Sequence, residues 1–160
     1  MKSKGQKPPR MFVSATQDGI IGVRRIHKGD GWQERQDPGH PLARRWKARG
    51  EKELGDYLRG RVRSFSIPCD LRGLTPFTHA VLRTAGQIPY GEVRSYRWIA
   101  KRIARPRAAR AVGNALARNP VPILIPCHRV VRNDGTLGGY ALGLQLKRKL
   151  LEMEKSNSLM

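Results

Sequence analysis

Acidic residues are scarce in this chain: 12 Asp and Glu stand against 32 Lys and Arg among 160 residues, a formal net charge of +20. Cysteine is scarcer still, with Cys69 and Cys127 alone, too few for a scaffold stapled by disulfides. No apolar run approaches the roughly 20 residues that a membrane-spanning helix needs, which excludes an integral membrane protein of that kind. Residues 1–10 are basic with no apolar segment behind them, so no secretory signal is expected. The default is then an intracellular, cytoplasmic protein. No Cys-x-x-Cys pair occurs and His27, His40, His79 and His128 are scattered, so no metal is expected. A phosphate-cradling Gly-Lys loop is missing too. What is present is 39% hydrophobic residues over a length that suits one domain or two small ones with a modest core.

The positive charge is unevenly placed. Residues 1–70 carry a net +8 and residues 71–160 a net +12, and between Arg94 and Arg132 there are ten basic residues and no acidic one. A stretch of one sign favours a polyanion, because binding phosphates releases condensed counterions. Arg outnumbers Lys by 22 to 10, which leans towards phosphate recognition by planar guanidinium groups. General solubility and acidic lipid remain as alternatives, with nucleic acid the favoured partner.

The chain reads as an α+β protein in two parts, residues 1–70 and 75–160, joined by a linker at 71–74. In the first part residues 1–10 read as a frayed basic arm. Apolar runs at 12–15 and 20–26 flank Thr16-Gln17-Asp18-Gly19, a hairpin signal. Residues 27–40 read as a loop, 41–58 as a helix and 64–67 as a short strand stopped by Pro68. Nothing there resembles a site, and Cys69 reads as a buried thiol beside the linker. The second part is mainly helical. Thr75-Pro76 caps a helix that runs to Ala85. Ser95 caps a short helix with Tyr96, Ile99, Ala100 and Ile103 on its apolar face, and a second helix spans about 107–117. On that helix Ala108, Val112, Ala115 and Leu116 fall on one side, and Arg107, Arg110, Asn114 and Arg118 on the other. Two short helices around a tight turn, the second with a basic outer face, describe a helix-turn-helix. A merely solvated helix would mix Glu with its Arg; none appears here. The small residues Ala109, Ala111 and Gly113 would let the helix backbone approach a groove closely.

The stretch 121–131 is the most unusual. Two prolines bracket Ile123-Leu124-Ile125, so an extended chain is expected, though not an ordinary central strand. Cys127, His128 and Arg129 follow. A cysteine among Ile and Val is ordinarily inert packing. Against that stand the adjacent histidine and the cationic surroundings, which favour the reactive thiolate.

Ile-Pro-Cys-His-Arg-Val at 125–130 resembles the active-site motif of the O6-alkylguanine-DNA alkyltransferases, also called methylated-DNA–protein-cysteine methyltransferases. The resemblance extends to Arg110-Ala111-Val112-Gly113, Asn119-Pro120-Val121-Pro122, Gly138-Gly139-Tyr140 and Leu150-Leu151-Glu152-Met153-Glu154, covering about 75–154 strongly and the first part weakly. It implies a small ribonuclease-H-like sheet-and-helix domain, then a winged-helix-like domain carrying the helix-turn-helix. It also implies repair of O6-alkylguanine in double-stranded DNA, with O4-alkylthymine left open. The alkyl group passes irreversibly to Cys127 after the base is flipped out, without a cofactor.

By the same resemblance His128, oriented by Glu154, takes the thiol proton, and Asn119 braces the turn that holds Cys127. Arg110 fills the gap left by the flipped base and Tyr96 crowds the phosphate. Ala109, Ala111, Gly113 and Asn114 belong to the DNA-binding helix. Tyr140, Ala141, Leu142 and Lys147 form the base pocket, with Tyr140 and Lys147 stabilising the leaving group. One departure stands out. Many members have Ser or Arg and then Gly-Gly after the tyrosine, whereas Ala141-Leu142-Gly143 follows here, so bulky alkyl groups are expected to react less readily than methyl. A monomer is expected, with cooperativity on DNA open. The competing readings are a non-catalytic lesion-binding or regulatory helix-turn-helix protein, which Cys127 argues against, and a thiol hydrolase, for which no oxyanion hole is visible.

Overall fold

A computed structural model describes residues 8–26 and 39–160. The basic arm expected at 1–10 lies outside the described residues up to position 7, and so does the loop expected at 27–40 up to position 38. The described chain is α+β. It begins with an antiparallel hairpin, β1 (Met11–Thr16) and β2 (Gly19–Arg25), turning through Gln17-Asp18 as the Asp-Gly signal requires. Met11 pairs with Arg25 and Thr16 with Gly19, with a bulge between Ser14 and Ala15. The long helix α1 (Pro41–Leu58) packs on this hairpin. It starts on His40, whose ring nitrogen accepts from the Leu42 N–H at 3.3 Å, with Pro41 in the first turn. Halfway along, Gly50 lets the helix lie against the sheet: a Cβ there would sit 3.1 Å from both Ile20 Cδ1 and Val13 Cγ1.

The strand expected at 64–67 does not form. Glu53 of α1 accepts from the Ser66 backbone N–H at 2.8 Å and from its hydroxyl at 2.7 Å, which ties the segment to the helix instead. Pairing falls later, as a single parallel bridge of Cys69 with Ile20, held by Ile20 N–H to Pro68 O at 2.9 Å and Asp70 N–H to Ile20 O at 2.8 Å. Cys69, itself a member of this bridge, is half-buried, and burial pushes its thiol up to about 11.

Three helices follow. Thr75 caps α2 (Pro76–Gly86) through the Thr78 N–H at 3.2 Å. Ser95 caps α3 (Tyr96–Arg102) through the Trp98 N–H at 3.1 Å. The tight turn after α3 leads to α4 (Ala109–Ala117), two residues shorter at its start than the pattern suggested. Val112, Ala115 and Leu116 of α4 are buried and Arg110, Asn114 and Arg118 exposed, so α3 and α4 form the helix-turn-helix. A short parallel pairing of β3 (Arg94–Ser95) with β4 (Val130–Val131) fixes the start of α3 beside the segment that follows Cys127. The last helix, α5 (Leu144–Ser158), closes the fold. Among the described residues no helix is long and apolar enough to cross a membrane.

One apolar core runs through both parts, with Val13, Ile20, Leu54 and Tyr57 from the first and Val81, Ile99, Val112 and Leu150 from the second. Val23 N–H also donates to Pro120 O at 2.9 Å, pinning β2 to the turn before Cys127. Overfilling the α1–hairpin seam should therefore be felt directly. Gly50→Leu is expected to lower stability by about 1–3 kcal/mol in urea unfolding, against the small gain that a better helix former would bring at an exposed position.

Candidate active site

The turn before Cys127 is built by one side chain. Asn119 Oδ1 accepts from the Val121 N–H at 3.0 Å, while its Nδ2 donates to Ile125 O at 3.0 Å and to Cys127 Sγ at 3.2 Å. Between those anchors the chain is a tight turn closed by Ile125 N–H to Val121 O at 3.0 Å, not the extended segment expected from its prolines. Ile123 has φ +76, a left-handed conformation unfavourable for a β-branched residue, and it is 1% exposed. The asparagine amide supplies the partners that an extended ladder would have supplied, and so holds that conformation. Cys127, His128 and Arg129 then form a single 3-10 turn leading into β4.

His128 and Glu154 are both fully buried and meet at 2.6 Å, Nε2 to Oε1. A buried carboxylate needs donors on every lone pair, and this one has them. Arg129 donates from Nε to Oε2 at 2.9 Å and from Nη2 to Oε1 at 3.1 Å, and the Gly91 N–H reaches Oε2 at 3.0 Å. Tyr57, from α1, donates its hydroxyl to Oε1. Burial raises the Glu154 carboxyl, but these donors more than offset it and hold it at about 2. The ring therefore carries its proton on Nε2, facing the anion, and presents a bare Nδ1. That Nδ1 and the Tyr140 hydroxyl are buried and have no hydrogen-bond partner among the described residues. Burial lowers the basicity of His128, an effect that Glu154 opposes and Arg129 and Lys147 reinforce, so the ring is neutral at rest.

Cys127 is 5% exposed. Burial pushes its thiol above the ordinary value, and the Asn119 amide and the Lys147 charge pull it down only in part. The cationic sequence around it does not make a resting thiolate. The thiol borders a cleft of about 720 Å³ between the helix-turn-helix and the 132–141 loop. Tyr96, Arg97, Ala109, Arg110 and Gly113 line one side, Arg132, Gly138, Gly139, Tyr140 and Ala141 the other. Gly138 has φ +66, and a Cβ there would lie 2.5 Å from the Tyr96 hydroxyl. Only glycine allows that ring and loop to meet so closely.

Cys127, His128, Glu154 and Asn119 are thus gathered at one place, with Arg110, Tyr96, Ala109, Gly113, Tyr140 and Ala141 on the cleft walls. Ala111 and Asn114 are exposed on α4 away from the cleft. Leu142 packs against the apolar core rather than into the cleft, so its bulk does not narrow the pocket. Lys147 is fully buried. Its ammonium donates to Val130 O at 2.6 Å, to Gly139 O at 3.1 Å and to Leu137 O, tying the loop down from beneath instead of facing a base. Burial lowers it to about 8, an effect that negative charge on the neighbouring Cys127 would oppose. Two members of the network were not anticipated. Tyr57 reads in sequence as an apolar helix position, and Arg129, noted beside His128, gives no sign that it spans Glu154 and, at 2.7 Å, Ile88 O. Among the described residues no cluster of three His, Cys, Asp or Glu is placed to hold a metal.

The fold and site together define a helix-turn-helix protein with a braced cysteine on the wall of its cleft. Residues 76–156 match the family model described as the DNA-binding domain of 6-O-methylguanine DNA methyltransferase. A methylated-DNA–protein-cysteine methyltransferase of Methanosarcina barkeri is 41% identical over 140 residues, 88% of this chain and 83% of that one. One from Mycobacterium tuberculosis is 48% identical over 106 residues, 66% of this chain and 64% of that one. Among solved structures, M. tuberculosis OGT in complex with DNA aligns with a TM-score of 0.77 at 37% identity, covering 91% of this chain and 86% of that one. The O6-methylguanine-DNA methyltransferase of Pyrococcus kodakaraensis aligns with a TM-score of 0.57 at 25% identity, over 90% and 91%. The chain belongs to the methylated-DNA–protein-cysteine methyltransferase family.

The buried carboxylate makes a stability prediction. Glu154→Gln leaves Arg129 buried without its counter-charge and is expected to cost about 3–5 kcal/mol at neutral pH. Because the folded-state carboxyl titrates below its unfolded value, its contribution is complete above about pH 4.5 and is lost as pH falls towards about 2. The gap between wild type and variant should narrow over that window in urea titrations, and a constant gap would refute the assignment.

Proposed function

We propose that this protein repairs alkylated double-stranded DNA directly, by moving the alkyl group from O6 of guanine to Sγ of Cys127. The observation that carries the reading is the cysteine on the cleft wall, within hydrogen-bond reach of Asn119 and next to a histidine–carboxylate pair. Guanine O6 is stacked inside duplex DNA, so the base must be extruded into the cleft. Arg110, exposed near the start of α4, fills the gap it leaves, and Tyr96 crowds the backbone phosphate at the extruded nucleotide. The small residues Ala109 and Gly113 let α4 approach the groove.

In the transfer the S–C bond forms as the C–O6 bond breaks, in line. The thiol proton passes through a water to Nδ1 of His128, whose positive charge Glu154 then stabilises. The guanine anion takes up one proton from the Tyr96 hydroxyl as it leaves. Tyr96 regains a proton from solvent and the His128 imidazolium releases the thiol's proton to solvent, so the net reaction moves one proton from sulfur to guanine. A thioether is not a leaving group for any side chain among the described residues near it, so each molecule acts once, and the transfer itself calls for no cofactor. Because Leu142 packs against the core and does not line the cleft, the slower reaction of bulky alkyl groups expected from sequence loses its steric basis, and Ala141 leaves the mouth of the cleft without a side-chain donor to O6.

The net +20 supplies the attraction to the duplex, and the acid-free stretch from Arg94 to Arg132 contributes Arg97, Arg110 and Arg132 to the cleft walls. We take the protein to act as a monomer wherever the cell keeps its DNA, with the helix-turn-helix part, 75–160, carrying the chemistry. Incubation with an oligonucleotide containing O6-methylguanine should add one methyl group to the tryptic peptide holding Cys127, read by mass; a peptide of unchanged mass sinks the reading. Cys127→Ser should abolish transfer and retain DNA binding. Arg110→Ala should slow transfer by about 10–100-fold through loss of the extruded state, with a smaller effect on a single-stranded substrate.

A further inference from the structure

Tyr57 lies in the first part of the chain, 97 residues from Glu154, yet its hydroxyl donates to Glu154 Oε1 and lies 3.3 Å from His128 Nε2. The ring is fully buried, tilted against Phe65 at 5.0 Å between centroids and edge-on to Tyr90 at 5.9 Å. Phenylalanine would keep these ring contacts and lose only the hydroxyl. The hydroxyl instead sits on the one carboxylate oxygen that also receives the histidine. We propose that Tyr57 is a positioning residue for alkyl transfer, setting through Glu154 the orientation and basicity of His128. The proposal rests on the transfer reaction above, in which His128 takes the thiol proton.

The charged and titratable groups facing His128 are few. Tyr57 comes from α1, Tyr140 from the loop before α5, and Glu154 and Lys147 from α5, while Cys127 and Arg129 flank it in its own turn. Of these, Glu154 and Tyr57 touch Nε2. A donor on Oε1 takes up part of the carboxylate's charge and so limits how strongly Glu154 can hold a proton on the ring. Removing that donor should make the imidazolium more stable. His128 would then be protonated, and unable to accept the thiol proton, up to a higher pH.

The test is the single-turnover rate of methyl transfer as a function of pH. Transfer needs neutral His128, so the acid limb of the profile reports its ionisation. For Tyr57→Phe the limb should move up by roughly one pH unit, with a modest loss on the plateau. A packing defect alone would lower the rate equally at every pH. Difluorotyrosine at position 57 keeps the ring in place with a more acidic, stronger hydroxyl donor, and it should move the limb down; this arm still reports if the Phe variant does not fold. A limb that coincides with wild type in either protein, or moves the opposite way, overturns the proposal. Wild-type protein that transfers no methyl group at all defeats the transfer reading instead.

Discussion

A carboxylate without solvent has to be satisfied by protein, and Glu154 is that constraint here. Removing an ion of this size from water costs several kcal/mol even after relaxation, and the cost is met only if each lone pair finds a donor. The donors come from separate stretches of chain: Tyr57 from α1, Gly91 before β3, His128 and Arg129 from the turn after Cys127, with the acceptor itself on α5. Arg129 is itself buried and depends on the same carboxylate and on Ile88 O. A partial assembly would leave a charge stranded, so the network forces these elements to arrive together. The geometry that this fixes around His128 is the geometry the proposed chemistry uses.

The positive charge and the thiol turn out to be separate matters. An acid-free run of ten basic residues invites the idea that its field favours a thiolate. Yet exposed charges are screened over about a Debye length, roughly 10 Å in ordinary salt, while desolvation acts on Sγ at contact. At Cys127 desolvation prevails over the Asn119 amide and the buried Lys147. For a protein proposed to react once this is an advantage, since the thiolate is also the form that oxidants and stray electrophiles attack. The surface charge is left with the task of attracting DNA, and activation of the thiol is left to the local acceptor.

Local rules were legible in the sequence wherever a single short stretch decides the outcome. Asp18-Gly19 marked the hairpin, Thr75-Pro76 and Ser95 marked helix starts, and the apolar spacing on α4 marked which side is buried. Cys127 next to His128 drew attention to the right turn. Two of the failures share a cause, a side chain that replaces an expected backbone partner. Ser66 is captured by Glu53 and so never joins a strand. The turn at 121–125 is closed around Asn119, whose amide does what ladder bonds would do, so the prolines do not produce an extended segment. By resemblance Lys147 belongs to the base pocket, and nothing local in the sequence reveals that three carbonyls converge on it. Tyr57 was hidden for the same reason. Helical periodicity reports that a position is buried, and it cannot report which oxygen a buried hydroxyl will meet 97 residues away.

Those distant contacts bear on what the first part of the chain is for. By motif the chemistry belongs to residues after 75, and the hairpin and α1 contain nothing that reads as a site. In the folded protein β2 holds the turn before Cys127 through Val23 N–H to Pro120 O, and α1 delivers Tyr57 to the carboxylate behind His128. Arg63 stacks on one ring, Tyr90, that Arg129 also faces, at 5.8 and 5.6 Å, and it donates to Asn157 O at 2.6 Å at the end of α5. The first part therefore braces the site from behind, on the side away from the cleft. A brace in that place can be rebuilt without touching the surface that meets DNA, provided it still delivers a donor to Glu154 and a partner to Pro120. That requirement is narrow in geometry and loose in sequence, which is why the motif-bearing half is easy to recognise and the half that supports it is not.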